Sequence, residues 1–300
     1  MATPAVEGQT FRGVSRVVRY VNLVKLPHTV FALPFALVGV TLGSYVAPVT
    51  VQEVFWVVVA FTSARFAAMA FNRIVDRDID ALNPRTKSRE IPSGALSVAS
   101  AGTAVIIACI SFVFAAWRLN PLCLALSPLA LAWVLFYSYT KRFTRLCHLV
   151  LGVGLSIAPV GGYLATTGQW SEPWWMLVLL ATAVATWVGG FDILYALQDI
   201  DFDCAQGLHS LPASLGERGG LNVARVLHLC TVLALAGVGV AVGAGWIYAV
   251  GVLIAMTLLL YEHSLVKAGE LGRLNAAFFT MNGVISIVFF VFVLGERLRA

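Results

Sequence analysis

The sequence contains few charged residues. Of its 300 residues, 12% are charged and 59% are hydrophobic, whereas a soluble domain is about a quarter charged and about half apolar. A chain of this length cannot hide so much apolar surface from water. The composition therefore excludes the ordinary soluble class and indicates a polytopic membrane protein.

Cysteine is also scarce and follows no ligand pattern. The five cysteines form no CxxC pair and no Cys/His spacing, which argues against a disulfide framework and a zinc site. We interpret most of them as small core residues. The net charge of +5 comes without a Lys/Arg stripe along a polar helix, which indicates a basic rim at the membrane and argues against nucleic-acid binding.

The first 25 residues lack the short apolar core and small-residue cleavage site of a secretory signal. We therefore expect no cleaved signal peptide. Residues 1–25 are predicted to be a polar cytoplasmic segment of a single transmembrane domain, residues 1–300.

Long apolar runs are what the sequence does contain. A membrane-spanning helix needs about 20 mostly apolar residues, and nine candidate spans lie near 27–47, 53–72, 98–118, 121–140, 147–166, 173–195, 222–243, 245–262 and 274–294. With a cytoplasmic N-terminus, the loops on the opposite side hold only Arg118, Arg297 and Arg299. This asymmetry favours an all-α bundle of about nine transmembrane helices.

Two acidic clusters follow apolar spans on the predicted cytoplasmic side. Residues 76–80 read DRDID and residues 199–203 read DIDFD. If the preceding helix continues, Asn72, Asp76 and Asp80 share one face, and Asp199 and Asp203 form a matching pair. Membrane proteins built from repeated halves often place their site between the two halves.

The residue types in these clusters indicate a site for Mg²⁺ and a diphosphate. Oxygen ligands without His or Cys suit Mg²⁺, which commonly shares its shell with substrate phosphates. We predict that the metal ligands are Asn72, Asp76, Asp80, Asp199 and Asp203, and that the four aspartates among them are catalytic. Nearby cations are predicted to bind phosphate oxygens: Arg77, Arg85, Lys87, Arg89, Lys141 and Arg142.

Two further charges lie within the spans themselves. Asp192 lies seven residues before Asp199, and Arg65 lies seven before Asn72, which places each about two helical turns deeper. Charges inside a membrane usually face a functional cavity. We predict that Asp192 is a catalytic residue that orients or polarises an acceptor hydroxyl, and that Arg65 binds an acceptor carboxylate. The alternative is that Arg65 and Asp192 pair with each other or with backbone groups.

These motifs resemble those of the UbiA superfamily of intramembrane aromatic prenyltransferases. NRIVDRDID, 72–80, is similar to the family's NDxxDxxxD motif, with Arg73 in place of the first Asp, as in the hydroxybenzoate-type branch. YALQDIDFD, 195–203, resembles the DxxxD motif. YSYTKRFT, 137–144, resembles the family's tyrosine-lysine loop, and KLPHT, 25–29, resembles its entry to the first helix.

The resemblance implies a helical bundle around a central cavity that opens to the cytoplasmic side. It implies Mg²⁺-dependent transfer of a polyprenyl group from polyprenyl diphosphate to a small aromatic acid, with 4-hydroxybenzoate preferred and a naphthoate of menaquinone synthesis as the alternative. Lys25, Tyr137 and Tyr195 are then substrate-binding candidates. Aromatic faces, including Phe71 and Phe191, would stabilise an allylic cation.

The implied surroundings are a lipid bilayer, specifically a bacterial cytoplasmic membrane, with no nucleic acid and no obligate protein partner. The five histidines are expected to be incidental.

Three alternative functions predict other arrangements of acidic residues. A cation-coupled transporter would place its acidic residues near the bilayer midplane, and an alcohol phosphatidyltransferase would gather them in one glycine-bearing motif. A structural scaffold gives no reason for two matched clusters.

Overall fold

The computed structural model describes residues 11, 13, 15–266 and 281–300, without the side chains of 26–31. This part of the chain is helical and contains no strand. Its helices are α1 Arg16–Leu23, α2 Leu26–Gly43, α3 Val51–Val75, α4 Arg77–Leu82, α5 Val98–Leu119, α6 Pro121–Thr140, α7 Cys147–Thr167, α8 Trp175–Ala196, α9 Ile200–Ala205, α10 Leu211–Ala241, α11 Trp246–Leu265 and α12 Asn282–Arg299. A 3₁₀ turn, Leu197–Asp199, joins α8 to α9. The predicted all-α class is confirmed.

Seven helical segments among the described residues are long and apolar enough to cross a membrane. They are α3, α5, α6, α7, α8 together with α9, α10 and α11. The protein is therefore an integral membrane protein. Helices α2 and α12 overlap the first and last of the nine predicted spans, so that count is approximate, and the beginning of the span 274–294 lies outside the described residues.

Small residues allow the central helices to approach one another closely. A Cβ atom at Gly162 of α7 would overlap the carbonyl oxygen of Ala36 in α2, and one at Gly39 would overlap the carbonyl oxygen of Pro159. Such contacts are typical of membrane helices, in which close backbone packing substitutes for a hydrophobic driving force. They hold α2 against α7 at the centre of the bundle.

Both acidic motifs lie where a long helix gives way to a short one. Helix α3 ends at Val75, and Asp76, with φ −90° and ψ 4°, separates it from α4. The predicted continuous helix through Asp80 is therefore interrupted. In the second motif, Asp199 ends the 3₁₀ turn and precedes α9. The motifs thus project from helix ends at one end of the bundle.

Serine caps begin the helices that follow the two motif loops. The Ser97 side chain accepts a hydrogen bond from the backbone N–H of Ser100 at the start of α5. The Ser210 side chain accepts one from the N–H of Ala213 at the start of α10. Serine is a preferred N-cap because its oxygen satisfies a backbone donor that lacks a partner within the helix. The caps define where each motif loop ends.

Candidate active site

A cavity of about 810 Å³ extends through the bundle between α3, α5, α6, α7 and α8. Its walls include apolar side chains such as Phe61, Leu119, Leu155 and Leu164. All five predicted metal-ligand side chains line the same cavity: Asn72, Asp76, Asp80, Asp199 and Asp203. The two motifs, far apart in the chain, therefore meet across one opening.

Asp76 of the first motif is held by the connection between α6 and α7. Lys141 Nζ lies 2.9 Å from its Oδ2, and Arg142 Nη2 lies 3.0 Å from its Oδ1. Asn72 Nδ2 also donates to Oδ2 at 3.0 Å. Asp76 is 3% exposed, so its negative charge is satisfied by protein cations and an amide rather than by bulk water.

Asp80 of the first motif is held by the loop that follows it. Arg89 Nη1 donates to both carboxylate oxygens, at 2.7 and 2.8 Å. Arg73 Nη1 lies 4.0 Å from Asp80 Oδ2. Arg73, which stands where the family pattern has an aspartate, is buried and lines the cavity.

Arg85 connects the first motif's loop to the second motif. Its Nε donates to Asp199 Oδ1 at 3.0 Å, and its Nη2 donates to Asp199 Oδ2 at 2.6 Å. Its Nη1 donates to the Tyr195 hydroxyl at 3.0 Å, and Asn83 Nδ2 donates to Asp199 Oδ1 at 3.2 Å. A bidentate Arg–carboxylate pair fixes both position and orientation. The two motifs are thereby joined.

Asp203 is the least compensated of the four motif carboxylates. It lines the cavity and is hydrogen-bonded by Ser210. In the part of the chain that the structure describes, no Lys or Arg forms an ion pair with it.

The oxygen donors of the two motifs fit a hard divalent cation such as Mg²⁺ in kind. Among the described residues, no three His, Cys, Asp or Glu side chains already converge on one metal position. Mg²⁺ usually keeps several waters and binds one or two carboxylates together with substrate phosphates. The arrangement therefore suits metal binding that is shared with a phosphate-bearing substrate.

Arg65, Tyr137, Phe191 and Asp192 line the cavity within the spanning helices. Asp192 Oδ2 lies 2.6 Å from Nδ1 of His148, a residue that also lines the cavity. Asp192 therefore pairs with His148 and not with Arg65, which was the alternative partner. His148, which was expected to be incidental, therefore has a specific polar partner at the cavity.

Two other histidines also pair with each other away from the cavity. His228 Nδ1 lies 3.0 Å from His263 Nε2. Like the His148–Asp192 pair, this contact joins two different helices, so no spacing along the sequence could have indicated it.

The structure does not bring every predicted substrate-binding residue into the cavity. Arg77 and Lys87 are exposed and lie outside its lining. Arg77 instead contacts the exposed Asp78 at 3.3 Å, because the beginning of α4 turns these side chains outward. Arg142 donates a hydrogen bond to Asp76 but does not itself line the cavity. Phe71 also lies outside the lining, and its ring packs against that of Tyr139 with ring centroids 6.0 Å apart. Lys25 and Tyr195 do line the cavity.

Comparison with known proteins agrees with this geometry. The sequence matches the UbiA prenyltransferase family over residues 32–284. A 4-hydroxybenzoate octaprenyltransferase of Vibrio parahaemolyticus is 30% identical over 220 residues, which cover 73% of this chain and 76% of the relative. The apo structure of a UbiA homolog from Aeropyrum pernix K1 has a TM-score of 0.82 at 34% identity, covering 90% of this chain and 98% of the homolog.

A more distant structure has the same fold. A UbiA homolog from Archaeoglobus fulgidus bound to GPP and Mg²⁺ has a TM-score of 0.72 at 20% identity, covering 93% of this chain and 99% of the homolog. The family match spans most of the sequence, and both acidic motifs lie within it. The chain belongs to the UbiA prenyltransferase family.

Proposed function

We propose that this protein transfers a polyprenyl group from polyprenyl diphosphate to an aromatic acid in ubiquinone-type quinone biosynthesis, with 4-hydroxybenzoate as the acceptor and Mg²⁺ as the cofactor. The observation that carries the proposal is the meeting of two distant acidic motifs at one cavity, joined by Arg85 and Asp199. The cavity combines this charged region with apolar walls, as a substrate with a diphosphate head and a hydrocarbon tail requires.

The relatives support the same chemistry. The similar Vibrio parahaemolyticus protein is named 4-hydroxybenzoate octaprenyltransferase. The Archaeoglobus fulgidus homolog of the same fold was solved bound to GPP and Mg²⁺. These names support an aromatic acid as acceptor and a divalent cation as cofactor.

The charged end of the cavity would bind the diphosphate. Asp199 and Asp203 would be the main holders of Mg²⁺, with Asn72, Asp76 and Asp80 facing them across the cavity as the remaining candidate ligands. When bound, the ion would supply positive charge to the phosphate oxygens. Arg85, Arg89 and Lys141 would donate to the remaining oxygens and stabilise the negative charge that grows as the allylic C–O bond breaks. Fixed cations in a site of low dielectric make the diphosphate a better leaving group without reorganisation.

The deeper part of the cavity would hold the acceptor and the prenyl chain. Arg65 would bind the acceptor carboxylate, and Asp192 would accept a hydrogen bond from its hydroxyl. A ring carbon ortho to that hydroxyl would then attack the allylic carbon. Apolar side chains around it, including Phe61 and Leu155, would keep water away from the electron-poor allylic carbon.

We place this single domain, residues 1–300, in a bacterial cytoplasmic membrane with its charged end at the cytoplasmic face. The basic loops that contact the motifs, 83–97 and 141–146, lie at that end. An excess of Lys and Arg in short loops marks the cytoplasmic side of membrane proteins.

A transfer assay tests the proposal. Purified protein in lipid is incubated with labelled polyprenyl diphosphate, Mg²⁺ and either 4-hydroxybenzoate or 1,4-dihydroxy-2-naphthoate, with EDTA as the metal-free control. We expect a prenylated product with 4-hydroxybenzoate, and no product with EDTA. Product with the naphthoate alone would move the function to menaquinone synthesis. No product with any aromatic acid would refute the proposal.

A further inference from the structure

His148 lies beside Asp192 at the wall of the cavity. The imidazole is in the first turn of α7, and its Nδ1 lies 2.6 Å from Asp192 Oδ2 on α8. The His148 side chain is 5% exposed, whereas that of Asp192 is 26% exposed. Both groups line the cavity, and the carboxylate is the more accessible of the two.

The hydrogen bonding of His148 is one-sided. Its Nε2 is buried and has no hydrogen-bond partner among the described residues, although buried polar atoms are nearly always paired. Its Nδ1 contacts Asp192 Oδ2 at 2.6 Å, and the Cys147 side chain is a second polar neighbour of the ring. Because an ionised carboxylate only accepts hydrogen bonds, Nδ1 is the donor in this contact, and the contact fixes the orientation of both groups.

His228 provides a contrast inside the same protein. It is 3% exposed, and both of its ring nitrogens have partners, His263 Nε2 at 3.0 Å and the Trp187 carbonyl oxygen at 3.3 Å. It does not line the cavity. His228 has the contacts of a structural histidine, whereas His148 has those of a group that supports a carboxylate facing the substrate cavity.

We propose that His148 is a positioning residue for the acceptor: by donating from Nδ1 to Asp192 Oδ2, it holds the carboxylate so that Oδ1 receives the proton of the acceptor's hydroxyl. This inference rests on the proposed function. Within the described part of the chain, Oδ1 has no hydrogen-bond partner, so it is available to a ligand in the cavity.

Transfer of the prenyl group begins with loss of the acceptor's hydroxyl proton. The hydroxyl proton passes to Asp192 Oδ1, and the electron pair of the O–H bond moves into the ring. The ortho carbon bonds to the allylic carbon, and the allylic C–O bond breaks with its electron pair leaving on the diphosphate. The bonded ring carbon then loses its proton to an oxygen of the released diphosphate, and the C–H electron pair restores the aromatic ring. The proton held by Asp192 returns to the phenolate oxygen and restores the phenol.

A double-mutant cycle tests whether His148 acts through Asp192. We expect Asp192→Asn to lower kcat with 4-hydroxybenzoate by about 10²- to 10³-fold, in the range of a lost general base. We expect His148→Ala to lower it by about 10- to 100-fold, as for the loss of a group that orients a functional side chain. The double variant should be no slower than Asp192→Asn alone, and KM for the polyprenyl diphosphate should stay at the wild-type value.

Two conservative variants separate positioning from packing. An asparagine side chain places its amide near the position of Nδ1, whereas a glutamine side chain places it nearer that of Nε2. His148→Asn should therefore restore most of the activity, and His148→Gln should not, at equal melting temperatures. With a ring-fluorinated acceptor, whose hydroxyl is more acidic, the loss caused by His148→Ala should shrink.

The outcomes distinguish this inference from the proposed function. An active wild type with additive losses in the cycle, or with equal activity of the His148→Asn and His148→Gln variants, would overturn the role of His148 alone. The role of His148 would also be overturned if, in His148→Ala, KM for the polyprenyl diphosphate rose by the same factor by which kcat with 4-hydroxybenzoate fell. A wild type that prenylates no aromatic acid would overturn the proposed function and this role with it.

Discussion

In the first acidic motif, Asp76 and Asp80 contact four basic side chains: Lys141, Arg142, Arg89 and, at 4.0 Å, Arg73. In the second motif, Asp199 contacts Arg85, and Asp203 contacts no basic side chain within the described residues. Exposure differs too: the side chains of Asp76 and Asp80 are each 5% exposed, whereas that of Asp199 is 16% exposed.

This difference indicates a division of work between the motifs. Around the first motif, positive charge outweighs negative charge, which suits an anionic diphosphate. Around the second motif, Arg85 pairs with Asp199 but Asp203 has no ion pair among the described residues, so less of the negative charge is compensated, which suits a divalent cation. Two carboxylates kept close together without enough cations repel each other, so the second motif gains most from binding a metal.

The largest effects should come from removing a cavity-facing carboxylate from either motif. We expect Asp76→Asn and Asp199→Asn each to lower the transfer rate by about 10²- to 10³-fold, the usual cost of losing one preorganised electrostatic contact. Initial rates with labelled polyprenyl diphosphate measure this. Asp78→Asn and Asp201→Asn are matched controls, because both residues are exposed and lie outside the cavity. Equal losses in the controls would contradict the proposed site.

The next largest effect is expected on the Mg²⁺ dependence of activity, which should differ between variants of the two motifs. We expect Asp203→Asn to raise the Mg²⁺ concentration needed for half-maximal activity by about tenfold or more, since even an indirect contact to a metal ligand contributes that much. Lys141→Gln should leave that concentration near the wild-type value and instead raise KM for the polyprenyl diphosphate. Titrations of Mg²⁺ and of polyprenyl diphosphate measure the two constants. A reversed pattern would remove the proposed division of work.

A moderate effect is expected at the arginine that joins the motifs. Arg85→Lys keeps the charge but loses the bidentate contact to Asp199, so we expect kcat/KM to fall by about tenfold, or 1.4 kcal/mol. Arg142→Lys should have a smaller effect because Lys141 also contacts Asp76. Steady-state kinetics of both variants give the comparison. An Arg85→Lys variant as active as the wild type would mean that the contact between motifs has no catalytic role.

The smallest effects are expected for basic residues near the motifs but outside the cavity. Arg77→Ala and Lys87→Ala should change activity by less than about twofold, because exposed ion pairs contribute little, 0–1 kcal/mol. Rates at saturating and at low polyprenyl diphosphate test both binding and turnover. A large rise in KM for either variant would bring these residues back into the site, as the sequence had suggested.

The sequence predicted the features that depend on local patterns. Apolar runs located the membrane helices. The spacing of Asn72, Asp76 and Asp80 predicted that these side chains share one face, and all three line the cavity. Charge asymmetry predicted that both motifs lie at the same membrane face, and both motifs do meet at one cavity. These are consequences of helix geometry and of the cost of burying charge, so they can be predicted without knowledge of the tertiary fold.

Contacts between distant segments could not be predicted. Arg85 and Asp199, which form an ion pair, are 114 residues apart in the sequence. His148 and Asp192 lie on two different helices, and no sequence motif links their positions. The outward direction of Arg77 depends on the break at Asp76, where the helix was expected to continue. Arg73 directly follows Asn72 and stands where the family pattern has an aspartate. That difference was the local feature of the sequence that pointed to its place in the cavity.

The most direct test of the central claim is a structure of the protein with Mn²⁺ in place of Mg²⁺ and an unreactive polyprenyl thiolodiphosphate, with the metal located by anomalous scattering. We predict one diphosphate between the motifs, with basic side chains of the first motif on its oxygens and metal density beside Asp199 and Asp203. Metal and diphosphate that contact only one motif, or that lie outside the cavity, would contradict the account.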